Sequence, residues 1–217
     1  MLPKKIKGVN KVHVFIDYAN LKSSALHMGK FTDLKVLYDY LSSIPYIDKI
    51  SLYYGTDPRD GKSYQFIKWL KDTGYDVVTK DVKYINIDIK ELVSTGKNKR
   101  LLEKLDKDVV NKFLLETEKL NPRIDFLESQ KCNFDVEIAL DIYQSLKSCD
   151  GIILFSGDGD FEKVVQLARA EGKYVIVITL RKFLAGELIK SADRYINLKS
   201  FEKLNGFLYR SKKEGSR

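Results

Sequence analysis

Ile152-Ile153-Leu154-Phe155-Ser156-Gly157-Asp158-Gly159-Asp160-Phe161 joins four apolar residues to a polar stretch holding two carboxylates and two glycines. An unbroken apolar run of this length reads as a strand buried on both faces, as in parallel sheets. The acids then fall where the strand stops and a helix opens, over Phe161 to Arg169. In open α/β sheets ligands bind at that place, outside the carboxyl ends of the strands. Two readings of Asp158 follow. It can cap the helix while Asp160 complements the helix dipole. Alternatively the two acids share a bound cation, because crowded carboxylates repel one another.

A second strand end tips the balance. Val12-His13-Val14-Phe15-Ile16 is another short apolar run that ends on an acid, Asp17, with a helix-like segment starting near Asn20. Asn20 reads as a cap, whereas Asp17 has no such simple role. Around these two points short apolar runs alternate with amphipathic segments, the pattern of βα units on a mostly parallel sheet. Strands are expected at 12–17, 49–54, 75–79, 151–156, 173–179 and 194–198. Helices are expected near 21–28, 33–42, 62–72, 134–146, 158–170 and 183–191. Between about 82 and 130 the pattern lapses. Leu102, Leu105, Val109, Phe113 and Leu120 suggest one long helix or two short ones broken near Asp106-Lys107-Asp108. This insertion is expected to pack over an edge, lid the site or form a contact of a homodimer.

At 217 residues and 44% apolar composition, the chain suits one well-buried soluble domain. The expected organisation is a basic tail over 1–10, a single domain over 11–198 and a basic tail over 199–217. No stretch approaches the roughly 20 apolar residues of a membrane span, so no membrane partner and a cytoplasmic location are expected. Cys132 and Cys149 lack the paired spacing of a zinc site and read as reduced thiols. The net charge of +8 resides in the two ends, with four lysines and no acid over 1–11 and six basic against two acidic residues over 199–217. The body between them is neutral. Flexible basic ends add salt-dependent affinity for phosphate backbones or merely keep the chain soluble.

Right-handed crossovers place the first strand beside the strand 151–156, where the winding reverses. Asp17 and Asp158 then face one another, Asp160 lies one turn on, and Asp135 reaches the same edge from the start of its helix. Four oxygen donors without His or Cys suit a hard cation, magnesium or manganese. Such a cluster serves phosphoryl transfer, in which bound cations activate water and neutralise the leaving oxygen. Asp17, Asp135, Asp158 and Asp160 are therefore the expected metal-holding and catalytic residues of a phosphodiesterase. Asn20 and Ser156 are expected to orient ligand or water by hydrogen bonds. A phosphatase with a nucleophilic Asp17 would want an acid at Ala19. A dinucleotide site would not fill its phosphate loop with Asp158 and Asp160.

Phe15-Ile16-Asp17-Tyr18-Ala19-Asn20 resembles the opening motif of the NYN domains of the PIN-like nuclease superfamily. Lys131-Cys132-Asn133-Phe134-Asp135-Val136, with the later Asp141, is similar to the central motif. There Cys132 replaces the usual Gly, and one extra residue precedes Asp135. Ser156 to Phe161 resembles the third motif, and Ser191 to Tyr195 the closing segment. The resemblance implies a PIN-like Rossmannoid α/β/α fold of three layers and a magnesium-dependent endoribonuclease acting on RNA, with the four aspartates as ligands. It extends to the LabA-like group, so the alternative is a non-catalytic RNA-binding or regulatory protein that keeps the acidic pocket. Asp141, six residues beyond Asp135 on one helix, is turned about 120° away and about 9 Å along the axis, so it cannot grip the same ion. It is expected to orient Asn20 or water. Glu137 lies four residues before it, a like-charge pair that Lys131 or a tail lysine could relieve or that is merely solvated, and Lys131 is also counted among the substrate-orienting residues. Tyr18 either stacks on a base or packs inside. His13 and His27 are read as packing residues.

Overall fold

The computed structural model describes residues 2–88, 103–119 and 126–210. They divide into two compact units, one of residues 1–80 and 133–217 and one of residues 81–132. In the larger unit the chain leaves strand β1 (Val12–Asp17) through helix α1 (Tyr18–His27), the short strand β2 (Phe31–Thr32) and helix α2 (Leu34–Ser42). It returns as β3 (Ile47–Thr56), then runs through α3 (Gly61–Thr73) to β4 (Asp76–Asp81). The smaller unit follows, with β5 (Lys83–Asp88), α4 (Lys107–Glu118) and β6 (Phe126–Lys131). The larger unit resumes with α5 (Asp135–Ser145), β7 (Gly151–Phe155), α6 (Glu162–Ala170) and β8 (Tyr174–Thr179). It closes with α7 (Gly186–Ser191), β9 (Arg194–Asn197), α8 (Leu198–Asn205) and β10 (Leu208–Tyr209).

The six-stranded sheet has the order β4-β3-β1-β7-β8-β9. The pairs from β3 to β9 are parallel, and winding reverses between β1 and β7. This is the doubly wound α/β architecture expected from the alternating apolar runs. Its central strands bury both faces. On one, Val14, Ile16, Ile153, Phe155, Ile176 and Ile178 join Leu37, Leu41, Leu70 and Phe201 in the main core. On the other, Ile152, Leu154, Val175 and Val177 are equally buried, as are Val165 and Ala168 of α6. Each such aliphatic side chain stabilises the fold by about 1.5–3 kcal/mol relative to exposure. Helix α3 ends where Gly74 adopts φ +117, and a Cβ there would run into the Tyr38 ring.

Four expectations change. First, residues 199–209 are structured: Phe201 and Phe207 are fully buried, and Leu208 pairs with Thr32. Apolar residues at helical spacing among the lysines outweigh the basic composition. Second, the N-terminal stretch is tied down. Leu2 and Val9 are in the core, Tyr46 donates to the Pro3 carbonyl at 2.6 Å, and Asp150 accepts from the Asn10 and Lys11 amides. Third, the segment 82–130 carries, among its described residues, an antiparallel ladder, Lys83↔Lys131 to Asp88↔Phe126, as well as helix α4. Asp106 starts that helix by accepting from the Asp108 and Val109 amides. Leu102 and Leu120 lie outside the described residues. Fourth, the helix expected over 183–191 is split. A 3-10 turn covers Arg181–Phe183, and the Ala185 amide donates to the Gly157 carbonyl at 2.9 Å before α7 begins. Among the described residues no helix is long and apolar enough to cross a membrane.

Candidate metal centre

The register Ile16↔Phe155 makes Asp17 and Ser156 the next residues at the carboxyl ends of adjacent strands. Asp17 is also the N-cap of α1: its Oδ1 accepts from the Asn20 amide at 3.0 Å. The helix therefore starts earlier than its apolar pattern suggested, and the acid does have a capping role. Its Oδ2 accepts from the Ser156 hydroxyl at 3.2 Å, and the Ser156 oxygen in turn accepts from the Asp158 amide at 3.3 Å. Ser156 is fully buried and so links the two acidic strand ends rigidly. Burial pushes the Asp17 carboxyl above its ordinary value. Its two hydrogen bonds oppose this, and the negative charges of Asp135 and Asp158 add to it.

Asp158 caps the 3-10 turn Gly159–Phe161, its Oδ1 accepting from the Asp160 amide at 3.1 Å. Gly157 is required just before it. A Cβ there would fall on the Phe183 carbonyl oxygen, so only glycine lets the segment after β8 close over the motif. Helix α5 precedes β7 and starts at the same edge, with Asp135 in its first turn and the Asn133 side chain accepting from the Asp135 amide at 2.8 Å. One carboxylate oxygen from each of Asp135, Asp158 and Asp160 can be chosen so that all lie within 4.8 Å of one another. Burial raises the Asp135 carboxyl, with further upward pressure from Asp158, Asp160 and Glu137.

Of the four expected ligands, then, three converge and Asp17 stands just outside, its oxygens engaged by Asn20 and Ser156. Among the described residues no lysine or arginine pairs with any of the four. The donor set, all carboxylate and partly exposed, fits a hard divalent cation and offers nothing to a soft one.

The other expected site residues divide. Asn20 Oδ1 accepts from the Thr179 hydroxyl at 3.3 Å, so a third strand end joins the edge. Thr179 was legible by the same logic as Asp17, since it closes the apolar run Val175 to Ile178. Tyr18 is packed, its ring tilted against Tyr54 and Phe66 at 5.6 and 6.2 Å. Asp141 accepts from the buried Tyr53 hydroxyl at 2.7 Å, which with burial drives the Tyr53 pKa upward. Glu137 pairs with Lys80 at 2.6 Å, so the cation beside it comes from the end of β4 rather than from Lys131. Lys131 is exposed in the β5–β6 ladder of the smaller unit. His13 is buried against Asp48, and His27 meets the Phe183 ring edge-on.

Comparison with known proteins agrees with this architecture. The NYN domain pattern matches residues 11–199. The chain is 28% identical over 192 residues to the low amplitude and bright protein LabA of Synechococcus elongatus, covering 87% of this chain and 84% of that one. A crystal structure of a protein of unknown function from Vibrio parahaemolyticus has the same fold, with a TM-score of 0.60 at 19% identity over 94% of this chain and 99% of the other. With three acids drawn together at the strand ends of a PIN-like sheet, the chain belongs to the NYN domain family.

Proposed function

We propose that the protein is a metal-dependent nuclease that hydrolyses phosphodiester bonds in RNA. One observation carries the reading: carboxylates of Asp135, Asp158 and Asp160 converge within 4.8 Å with no basic partner among the described residues. Such an arrangement is unfavourable in isolation and favourable around a cation. Asp135, Asp158 and Asp160, with Asp17 beside them, would hold magnesium or manganese, which when bound supplies an acidified water and neutralises charge on the scissile phosphate.

The chain's own groups have distinct tasks. Asp17, held beside the three converging acids by its bonds from the Asn20 amide and the Ser156 hydroxyl, accepts a proton at its carboxylate from the attacking water. Ser156 fixes Asp17 in position through Oδ2 and the Asp158 loop through its amide. Asn20 is oriented by Thr179, and its Nδ2, without a hydrogen-bond partner among the described residues, donates to a phosphate oxygen or to water. No side chain forms a covalent intermediate. Asp141 and Glu137 act on the fold, through Tyr53 and Lys80, rather than on the substrate.

The test is incubation of the purified protein with single-stranded and structured RNA in magnesium, manganese or chelator. Cleavage in either metal that stops in chelator is expected. Absence of cleavage in both metals refutes the reading, and RNA binding without cleavage then makes the protein a binding module with an acidic pocket.

A further inference from the structure

The neutral charge of the chain body conceals a local concentration of cations. A cavity of about 610 Å³ is lined by His27, Lys30, Arg181, Lys182, Lys199 and Arg210, with Glu202 as its sole acid. Lys30 is paired with Glu202 at 2.5 Å, and Lys182 Nζ lies 3.5 Å from His27 Nε2. Arg181, Lys199 and Arg210 have no ion-pair partner among the described residues. Lys199 and Arg210 come from the stretch that composition alone assigned to a free basic tail; α8 and β10 fold them back beside the end of α1. Cations gathered in a concave place focus a positive potential, and that arrangement recruits anions far better than the same charges on loose ends.

Position gives the anion its identity. Arg181 and Lys182 leave the carboxyl end of β8 two and three residues after Thr179, whose hydroxyl bonds Asn20. One wall of the pocket therefore starts at the carboxyl edge of the sheet, the edge that carries the acids. A nucleic acid lying along this edge presents phosphates in series, and the acidic cluster alone would repel those flanking the reacting one. We propose that this pocket binds the phosphodiester backbone of the RNA strand beside the scissile bond, an assignment that rests on the nuclease reading above. Its arginines and lysines contact phosphate oxygens, give affinity without base preference and hold the strand in register with the acids.

The experiment measures fluorescence anisotropy of a labelled single-stranded RNA in chelator, across a series of salt concentrations. It compares the parent with an Arg181→Gln, Lys182→Gln, Arg210→Gln triple variant and with a Lys68→Gln, Lys71→Gln, Lys147→Gln triple that removes equal charge elsewhere. All six side chains are exposed, so the fold is retained and melting curves verify it. Each lost phosphate contact lowers the log–log salt slope by about 0.7 for single strands, so the pocket triple loses about 2 from the slope and on the order of tenfold in low-salt affinity. The distant triple changes neither comparably. Hydrolysis of bis(p-nitrophenyl) phosphate in manganese, a substrate too small to span the pocket, stays at the parent rate in the pocket triple. Equal losses in both triples, or an unchanged slope in the pocket triple, overturn the pocket while leaving the nuclease reading intact. A parent that cleaves nothing in manganese, yet loses RNA affinity only in the pocket triple, keeps the pocket and overturns the nuclease.

Discussion

Replacing Asp160 by Asn separates a cation centre from a set of helix caps. The Asp160 side chain accepts no hydrogen bond among the described residues, whereas Asp158 caps the turn with its own oxygen, so the change at 160 alters charge with little loss of structure. Two unit charges 4.8 Å apart in water repel by about 0.9 kcal/mol. In buffer of roughly 0.01 M ionic strength, where the Debye length is about 30 Å, little of this is screened. Asp160→Asn removes two of the three repulsive pairs in the cluster, a relief of about 1.5 kcal/mol. Loss of a favourable first-turn carboxylate opposes it by about 0.3–1 kcal/mol. The variant is therefore more stable than the parent in chelator by about 1 kcal/mol, or about 2–4 °C in melting temperature for a chain of this size. With manganese the order reverses. A ligand at 100 times its dissociation constant stabilises the parent by about 2.7 kcal/mol, and the variant lacks one of the groups proposed to hold it. Scanning calorimetry of both proteins with chelator and with manganese decides the matter. If Asp160→Asn is the less stable protein under both conditions, Asp160 acts on the helix dipole alone and the reasoning fails.

Four further outcomes follow from the same structure. Because burial raises the folded pKa values of Asp17 and Asp135 above the ordinary aspartate value of 3.8, the folded state binds more protons than the unfolded one in that window. In chelator these groups therefore make stability fall as pH rises from 3.8 through the raised values, and urea midpoints of Asp17→Asn show a shallower fall. Ser156→Ala takes a donor from Asp17 and an acceptor from the Asp158 amide. It destabilises the protein by about 1–3 kcal/mol in denaturant titration and slows metal-dependent cleavage. Tyr53→Phe removes the hydroxyl that Asp141 accepts from, costing about 1 kcal/mol in urea unfolding while cleavage in manganese stays near the parent rate. Phe201→Ala empties a fully buried position facing Tyr40, Phe155 and Phe207. It costs about 3–5 kcal/mol in urea unfolding, whereas a side chain in a loose tail would cost almost nothing.

Where the sequence was legible, one signal did the work: an unbroken apolar run closed by a polar residue. It located β1, β7 and β8 and, through their ends, Asp17, Ser156 and Asp158. The reversal of winding between the first and fourth of the six main strands then followed from handed crossovers, and it set the β1 and β7 ends together. Other parts were hidden for identifiable reasons. Tyr18-Ala19-Asn20 has no apolar periodicity, so the start of α1 and the cap at Asp17 do not show in the sequence. Ile85-Asn86-Ile87-Asp88 does alternate, but the alternation is too short and too charged in context to stand out as a strand. Lysines dominate the composition around Phe201, Phe207 and Leu208 and mask their burial, although three large apolar residues so close in sequence rarely remain in water. The partners of Glu137 and Asp141 lie 57 and 88 residues away, contacts that only the assembled sheet creates.

The proposed role of Asp158 and its neighbours is to hold a cation that supports RNA cleavage. It is tested most directly by single-turnover cleavage of an end-labelled RNA by the parent and by Asp158→Asn, in manganese and in chelator, with the product ends identified. Cleavage by the parent in manganese alone, lost on the order of 100-fold or more in Asp158→Asn and leaving ends produced by attack of water, is the predicted result. Cleavage that survives chelator, persists unchanged in Asp158→Asn, or leaves a 2′,3′-cyclic phosphate would contradict it.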